Sequence, residues 1–527
     1  MSSLELDRRL RELATPRTRR GVLVGAGSLA LAAALSRLPL DLAYGAAANH
    51  RSEPFTLGVA SGDPLPDSIV LWTRLAPEPL RADGGMEPRP VEVRWEVAED
   101  PAMRRVVRRG RATAWPAFAH SVHVEVDGLD DGREYFYRFT SASAASPVGR
   151  TRTAPRGRVD EVTFSFVTCQ KWDDGFYPAY REIAREDHDF VIHLGDYTYE
   201  YGIANSVGPR MPQLPPEFTT ETVTLDRYRL QHALYKTDPH LQAAHRAHPF
   251  VVIWDDHEVV NDYAGEDTSL LERRANGYRA FYEHLPMRAE SIPRGPDMPI
   301  YRRITWGELA EFSMLDTRQY RTEPPCGYGE QQRCPAAFDP NETLTGPEQE
   351  RWLLHNLDRS RARWNIIGQQ VLMAELDHDG DAGDLFWNDS WDGYPAARAR
   401  IIQHIHSRKI ANPVVLTGDW HSTFANDIKL DFDDPRSETV AAEFVTPSVS
   451  SNGDAEVYGP YYGPMIKFNP HIRFFDGDRH GSMKARLSPR TLEVDWRIAD
   501  RVGDPSAPVR TLRTFAVESG RPGVAQA

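Results

Sequence analysis

The sequence is poor in cysteine, with 3 in 527 residues, so it is not a disulfide-built scaffold. Beyond residue 46 it has no apolar run long enough to span a bilayer, which argues against a membrane-integral helix in that part of the chain. Excess basic charge is also missing. Lys and Arg number 62 against 76 Asp and Glu, a net charge of −14, which argues against a nucleic-acid-binding role or adhesion to anionic lipid through overall charge. Internal repeats and low-complexity segments are absent. What remains is a composition 40% hydrophobic, 10% aromatic and 26% charged, typical of a globular chain with a large core. The length suits one large α/β domain with a smaller companion.

Residues 1–46 differ from the rest. A basic stretch ends in Thr18-Arg19-Arg20-Gly21-Val22-Leu23, an Ala/Leu/Gly-rich run follows to Leu35, and small residues cluster from Ala43 to Ala48. This pattern looks like a twin-arginine export signal with a cleavage site. The run is too short, too rich in Gly and Ala and too soon interrupted by Arg37 to serve as an anchor. The expectation is a protein exported already folded by the twin-arginine translocation machinery. It would be secreted, periplasmic or cell-wall associated, with no stable membrane partner.

From residue 52 to 155 the chain alternates with period two in short stretches such as Ser68–Thr73, Val91–Val97 and Ser121–Val126. This predicts a small antiparallel sandwich. Tyr135-Phe136-Tyr137-Arg138 resembles the penultimate-strand region of a fibronectin type III-like domain. Residues 160–510 read as a second domain. Strands are predicted at Thr163–Thr168, Phe190–Leu194, Phe250–Trp254, Leu309–Leu315, Trp364–Gly368 and Pro413–Thr417, and helices at Tyr177–Glu186, Leu225–Leu234, Leu271–Glu283 and Gly346–Asp358. Strands apolar throughout are covered on both faces, so the fold class is layered α/β.

Four of these strands end in residues able to bind metal: Cys169, then Gly195-Asp196, Asp255-Asp256-His257 and Gly418-Asp419-Trp420-His421. In open α/β sheets ligands gather beyond the carboxyl ends of the strands, so these residues are expected to converge. Cys169, Tyr199 and Asp196 are anionic donors suited to a high-charge ion such as Fe3+, with His421 as a neutral nitrogen ligand. Asp196 would bridge to a second ion held by Asp256 and Asp419, an oxygen set suited to Ca2+ or another divalent cation. Two such ions with an open edge would orient a phosphoryl group and activate a water for in-line hydrolysis of a phosphate ester.

The motifs Cys169-Gln170, Gly195-Asp196-Tyr197-Thr198-Tyr199, Trp254-Asp255-Asp256-His257-Glu258, Leu315-Asp316-Thr317-Arg318, Asp389-Ser390-Trp391-Asp392-Gly393-Tyr394 and Gly418-Asp419-Trp420-His421 resemble those of the PhoD-like alkaline phosphatases and phosphodiesterases. The resemblance covers nearly the whole chain after the export segment. It implies a layered metallophosphoesterase β-sandwich flanked by helices behind an all-β N-terminal domain. It also implies an iron and calcium hydrolase acting on phosphate mono- and diesters through a metal-activated hydroxide, with no covalent phospho-enzyme. The family is similar to the purple-acid-phosphatase branch of the calcineurin-like enzymes. There a further second-metal ligand would fall in the segment Trp364–Gln370, which makes Gln370 the candidate here.

His257, next to a ligand position, would contact the phosphate or protonate the leaving oxygen, unless it is a packed histidine in a turn. Arg318 either clamps substrate phosphate or holds a buried carboxylate. Asn388–Tyr394 either lines the pocket, with room for an additional calcium, or is a plain loop with a docked Trp. Cys326 and Cys334, with seven residues between them, could close a small loop after export, leaving Cys169 for metal. Within the hydrolases, a phospholipase D-like or teichoic-acid phosphodiesterase is the alternative. In another class, it is a surface binding protein with a degenerate hydrolase domain.

Overall fold

The computed structural model describes residues 53–380 and 384–526, and the expected export segment at 1–46 lies outside them. Two mixed sheets stack face to face. The ten-stranded sheet has the parallel strands Val162–Val167, Phe190–His193 and Pro249–Val252 at its centre, and the seven-stranded sheet has Ala310–Met314, Trp364–Gln369, Pro413–Thr417 and Thr439–Val445. Between the sheets the rings of Phe164 and Phe190 each meet Phe312 edge-on at 5.3 Å.

The apolar runs are explained by their two faces. In Trp364–Gln369, Ile366 enters the core between the sheets. Its neighbour Ile367 enters a second core beneath the helices Gly346–Arg359 and Pro395–Ser407. Val414 and Val415 divide in the same way. A strand covered on both sides has no polar face, so its period-two signal vanishes.

The predicted strands and helices are present within a few residues of their expected ends. The helices Pro239–Ala247 and Pro395–Ser407 are additional. The first carried readable signals, since the Asp238 side chain accepts from the N–H groups of His240 and Leu241 and Pro239 occupies the first turn.

The N-terminal strands do pack as a sandwich. Val93, Trp95, Tyr137 and Phe139 of one sheet face Ile69, Leu71, Val122 and Val124 of the other. The second of these sheets is not separate, because Val59–Leu65 pairs in parallel with Pro249–Val252 and extends the ten-stranded sheet. That hydrogen bonding joins strands far apart in sequence, so local alternation could not announce it. Among the described residues no helix is long and apolar enough to cross a membrane.

At the carboxyl ends of the central strands the two sheets are stitched together. Thr168 forms a parallel bridge with Ser448, and the Val449 N–H donates to the Thr168 carbonyl at 2.9 Å. The turns leaving both sheets therefore open onto one rim.

Candidate metal centre

That rim brings the expected residues together. Donor atoms of Cys169, Asp196 and His421 lie within 4.8 Å of one another, as do those of Asp196, Asp256 and His257, and those of Asp255, Asp256 and Asp419. The three groups form a chain, with Asp196 common to the first two and Asp256 to the last two. The Cys169 thiol is 3.4 Å from Asp196 Oδ2, to which the Tyr199 hydroxyl donates at 2.8 Å. Tyr199 Oη is also 3.0 Å from His421 Nε2. His421 Nδ1 lies 2.6 Å from Asn452 Oδ1, so it carries the proton and leaves Nε2 as a lone-pair donor facing Cys169 and Asp196.

The backbone is bent to achieve this. Cys169, Asp196, Asp419 and His421 all have left-handed φ, between 50° and 60°. Non-glycine residues pay about 1–3 kcal/mol for such conformations and hold them where surrounding structure enforces it. Gly195 explains one Gly-Asp pair: at φ 112° a Cβ there would lie 2.5 Å from that of Asp255. Gly418 explains the other, since a Cβ would meet Thr168 Oγ1 at 2.6 Å.

The electrostatics are those of crowded acids. Burial pushes Asp196 and Asp419 well up from the ordinary carboxylate range, with Asp255 adding to both. Burial lifts Asp255 to about 6 against the pull of Arg318. Asp262 rises to about 7 through burial and the charges of Asp389 and Asp256. Asp256 is the exception, because Arg318, His257 and backbone N–H groups outweigh its burial and hold it low. Burial pushes the Cys169 thiol and the Tyr199 phenol well up, and both feel the charge of Asp196. Burial lowers His421 to about 3, which keeps its imidazole neutral.

This donor set fits a metal centre. Among the described residues, Asp196 Oδ1 and Asp255 Oδ2 are buried without a hydrogen-bond partner. Cations would offset the burial and the neighbouring negative charges that raise both groups. Cys169, Tyr199, Asp196 and His421 would hold a high-charge ion, and Asp196, Asp256 and Asp419 an oxygen-liganded one.

His257 lines the cavity, and its Nδ1 lies 2.8 Å from the buried carboxylate of Glu200. Burial would lower it, but Asp256, Asp196 and Glu200 together raise it well above the ordinary imidazole value, which favours its protonated form. Arg318 holds carboxylates and does not line the cavity. Fully buried, it pairs through Nε with Asp255 and through Nη1 with Asp389 at 2.8 Å, and its Nη2 lies 3.5 Å from Asp419 and 3.8 Å from Asp256. Gln370 does not join the ligands either. Its Oε1 accepts from the N–H and hydroxyl of Thr317, and its Nε2 donates to the Leu315 carbonyl, which fixes the turn that aims Arg318. The Asn388–Tyr394 segment does two things: Asp389 lines the cavity, while Trp391 is buried with its Nε1–H donating to Gln369.

Several contributors escaped the sequence reading. Glu258 accepts from the N–H groups of Asp196, Tyr197 and Asp255, clamping two ligand-bearing turns, and burial lifts it to about 8. Glu258 and Asp255 stand in the motif that was read, whereas Glu200, Asp262 and Asn452 carry no local signal. The cavity itself, of about 530 Å³, is lined by acidic and by aromatic side chains.

Arg318→Met removes the counter-charge shared by Asp255, Asp256, Asp389 and Asp419. In chelator-treated protein it should cost about 3–5 kcal/mol of unfolding stability. The loss should grow as pH rises through about 6, where Asp255 ionises. Denaturant unfolding at several pH values measures it, and equal stability of variant and wild type would show that the carboxylates need no partner.

Comparison with known proteins agrees with this geometry. Residues 164–496 match the PhoD-like phosphatase family, and residues 41–155 match the N-terminal domain of PhoD-like phosphatases. The chain is 43% identical over 518 residues to alkaline phosphatase D of Bacillus subtilis (strain 168), covering 96% of this chain and 88% of that protein. A solved structure of PhoD superposes with a TM-score of 0.87 at 44% identity, covering 91% of this chain and 93% of that one. On the extent of these matches, and with its expected ligands gathered at one rim, the chain belongs to the PhoD-like phosphatase family.

Proposed function

We propose that this protein hydrolyses phosphate mono- and diesters at a two-metal site, with Fe3+ held by Cys169, Asp196, Tyr199 and His421 and Ca2+ held by Asp196, Asp256 and Asp419. The observation that carries the reading is the position of Asp196, whose carboxylate belongs both to the sulfur- and nitrogen-containing group and to the group containing Asp256. When bound, the two ions supply Lewis acidity to the phosphoryl oxygens and lower the pKa of water.

The remaining work falls to the chain. His257, favoured in its protonated form and oriented through Nδ1 by Glu200, stands at the cavity wall as a proton donor to the departing alkoxide. Glu200 also accepts from the Asn261 N–H at 2.9 Å, so the dyad is tied to the turn carrying Asp256. Asn452 fixes the tautomer of His421. Arg318 lies among Asp256, Asp389 and Asp419, its Nη1 on Asp389 and its Nη2 3.5–3.8 Å from the other two.

Export belongs to the same proposal. Its support is the twin-arginine pattern in residues 1–46 and the Cys326–Cys334 disulfide, a bond that persists in oxidising compartments. The partners this reading implies are phosphate ester substrates and the twin-arginine translocation machinery.

Cys169→Ala should lose bound iron and activity together, with turnover of p-nitrophenyl phosphate and its bis-ester falling more than about 100-fold. Elemental analysis beside the assay checks it, and full turnover by an iron-free variant would refute the ligand set. His257→Ala should slow alkyl esters by about 10²–10⁴-fold and p-nitrophenyl esters much less, because only the poor leaving group needs the proton. Equal losses on both would remove that role. Because Asp196 and Asp419 are raised and must shed protons to bind, calcium affinity of the apoprotein should increase as pH rises above the ordinary carboxylate range. Isothermal titration in two buffers reads both the affinity and the proton release, and a pH-independent affinity contradicts the carboxylate set.

A further inference from the structure

The cavity has a second set of lining residues. Besides the carboxylates and histidines it is lined by Trp387, Trp420, Val457, Tyr458, Tyr461 and Tyr462. Among the described residues no lysine or arginine lines it. A substrate's ester group beside these residues therefore meets aromatic rings and no lysine or arginine. Two of these residues are large apolar groups left open to solvent, Tyr461 and Val457, each 40% exposed. Exposure of that kind beside a catalytic cavity marks a surface awaiting a ligand.

The wall is also built. Trp387 ends the strand Leu385–Trp387, which pairs with Glu330–Gln332, placing Glu330 directly opposite Trp387. The next residue is pinned twice: Asn388 donates its N–H to the Gly329 carbonyl at 2.9 Å and its Nδ2–H to the Gly327 carbonyl at 3.0 Å. Glu330 Oε1 lies 2.7 Å from His378 Nδ1 and accepts from the Tyr461 hydroxyl at 3.4 Å. One short segment thus positions both Trp387 and Tyr461. That segment is closed at its ends by the Cys326–Cys334 disulfide. A pair of three-residue strands has little stability of its own, and the covalent closure restricts the alternatives open to the loop.

We propose that Trp387 and Tyr461 are specificity-determining residues forming a subsite for an aromatic ester group of the substrate, and that the Cys326–Cys334 loop holds this subsite in register. The proposal rests on the phosphoesterase reading above and names the substrate class that site prefers. The rings supply rigid contact area with few rotatable bonds, so an aromatic group stacks at little entropic cost, while a methyl group gains almost nothing.

The test compares kcat/KM for bis(p-nitrophenyl) phosphate and methyl p-nitrophenyl phosphate on the metal-loaded, oxidised full chain. Both esters release the same phenolate and differ only in the group retained. Wild type should favour the bis-aryl ester by about five- to tenfold through KM. Trp387→Ala and Tyr461→Ala should each bring the ratio towards one, with metal content unchanged. Trp387→Phe, which keeps a ring and protects against a folding artefact, should retain most of it. The double variant Cys326→Ser/Cys334→Ser should lower the ratio as the alanine variants do, although neither cysteine lines the cavity. An active wild type that turns over both esters alike overturns the subsite alone, as does an unchanged ratio in both alanine variants. A ratio lost there but kept in the double serine variant overturns the role of the loop. A metal-loaded wild type inactive on both esters overturns the subsite together with the phosphoesterase reading.

Discussion

Asp255, Asp256, Asp389 and Asp419 surround the buried guanidinium of Arg318, and their mutual repulsion governs the rest of the structure. Arg321 adds a second buried guanidinium against Asp389 at 2.8 Å, yet two cations still leave four carboxylates in excess at a few ångströms in a poorly solvated interior. The excess negative charge is held in place by the backbone: Glu258 fastens the turns after Phe190–His193 and Pro249–Val252 to each other, and the Thr168–Ser448 bridge fastens one sheet to the other. The stacked sheets thus hold charges together that would separate in a looser fold, which prepares the rim for cations.

The left-handed conformations at Cys169, Asp196, Asp419 and His421 express the same constraint. Each follows a strand that must end abruptly so that the next side chain turns back over the sheet edge. The cost is spread over several residues and met by dense packing beneath them, where Phe164, Phe166 and Ile192 are fully buried. This division of labour, a rigid apolar sandwich carrying a strained polar rim, separates stability from chemistry.

Much of this was legible from residue order. The apolar runs marked the central strands, and the residues just beyond them proved to be those gathered at the rim. Cys169, Asp196, Asp256, Asp419 and His421 were readable because strand-end position and donor type coincide, and Tyr199 because it shares a motif with Asp196. Arg318 and Gln370 were read less well because each offers groups that suit two tasks, and burial decided between them. Arg318 is enclosed by acids, and the carboxamide of Gln370 is already committed to Thr317 and Leu315. Asn452 and Glu200 were invisible, since a residue that orients a ligand needs only to be near it in space.

By itself, the order of residues determined the layered α/β architecture and the chemical kinds of donor available, because hydrophobic periodicity and side-chain type are local properties. The tertiary structure alone decided the merging of the N-terminal strands into the main sheet, the pairing of Arg318 with four aspartates and the aromatic lining of the cavity. Each of these depends on hydrogen bonds or packing between segments far apart along the chain, where burial, charge and contact are set jointly by elements that no single stretch of sequence contains.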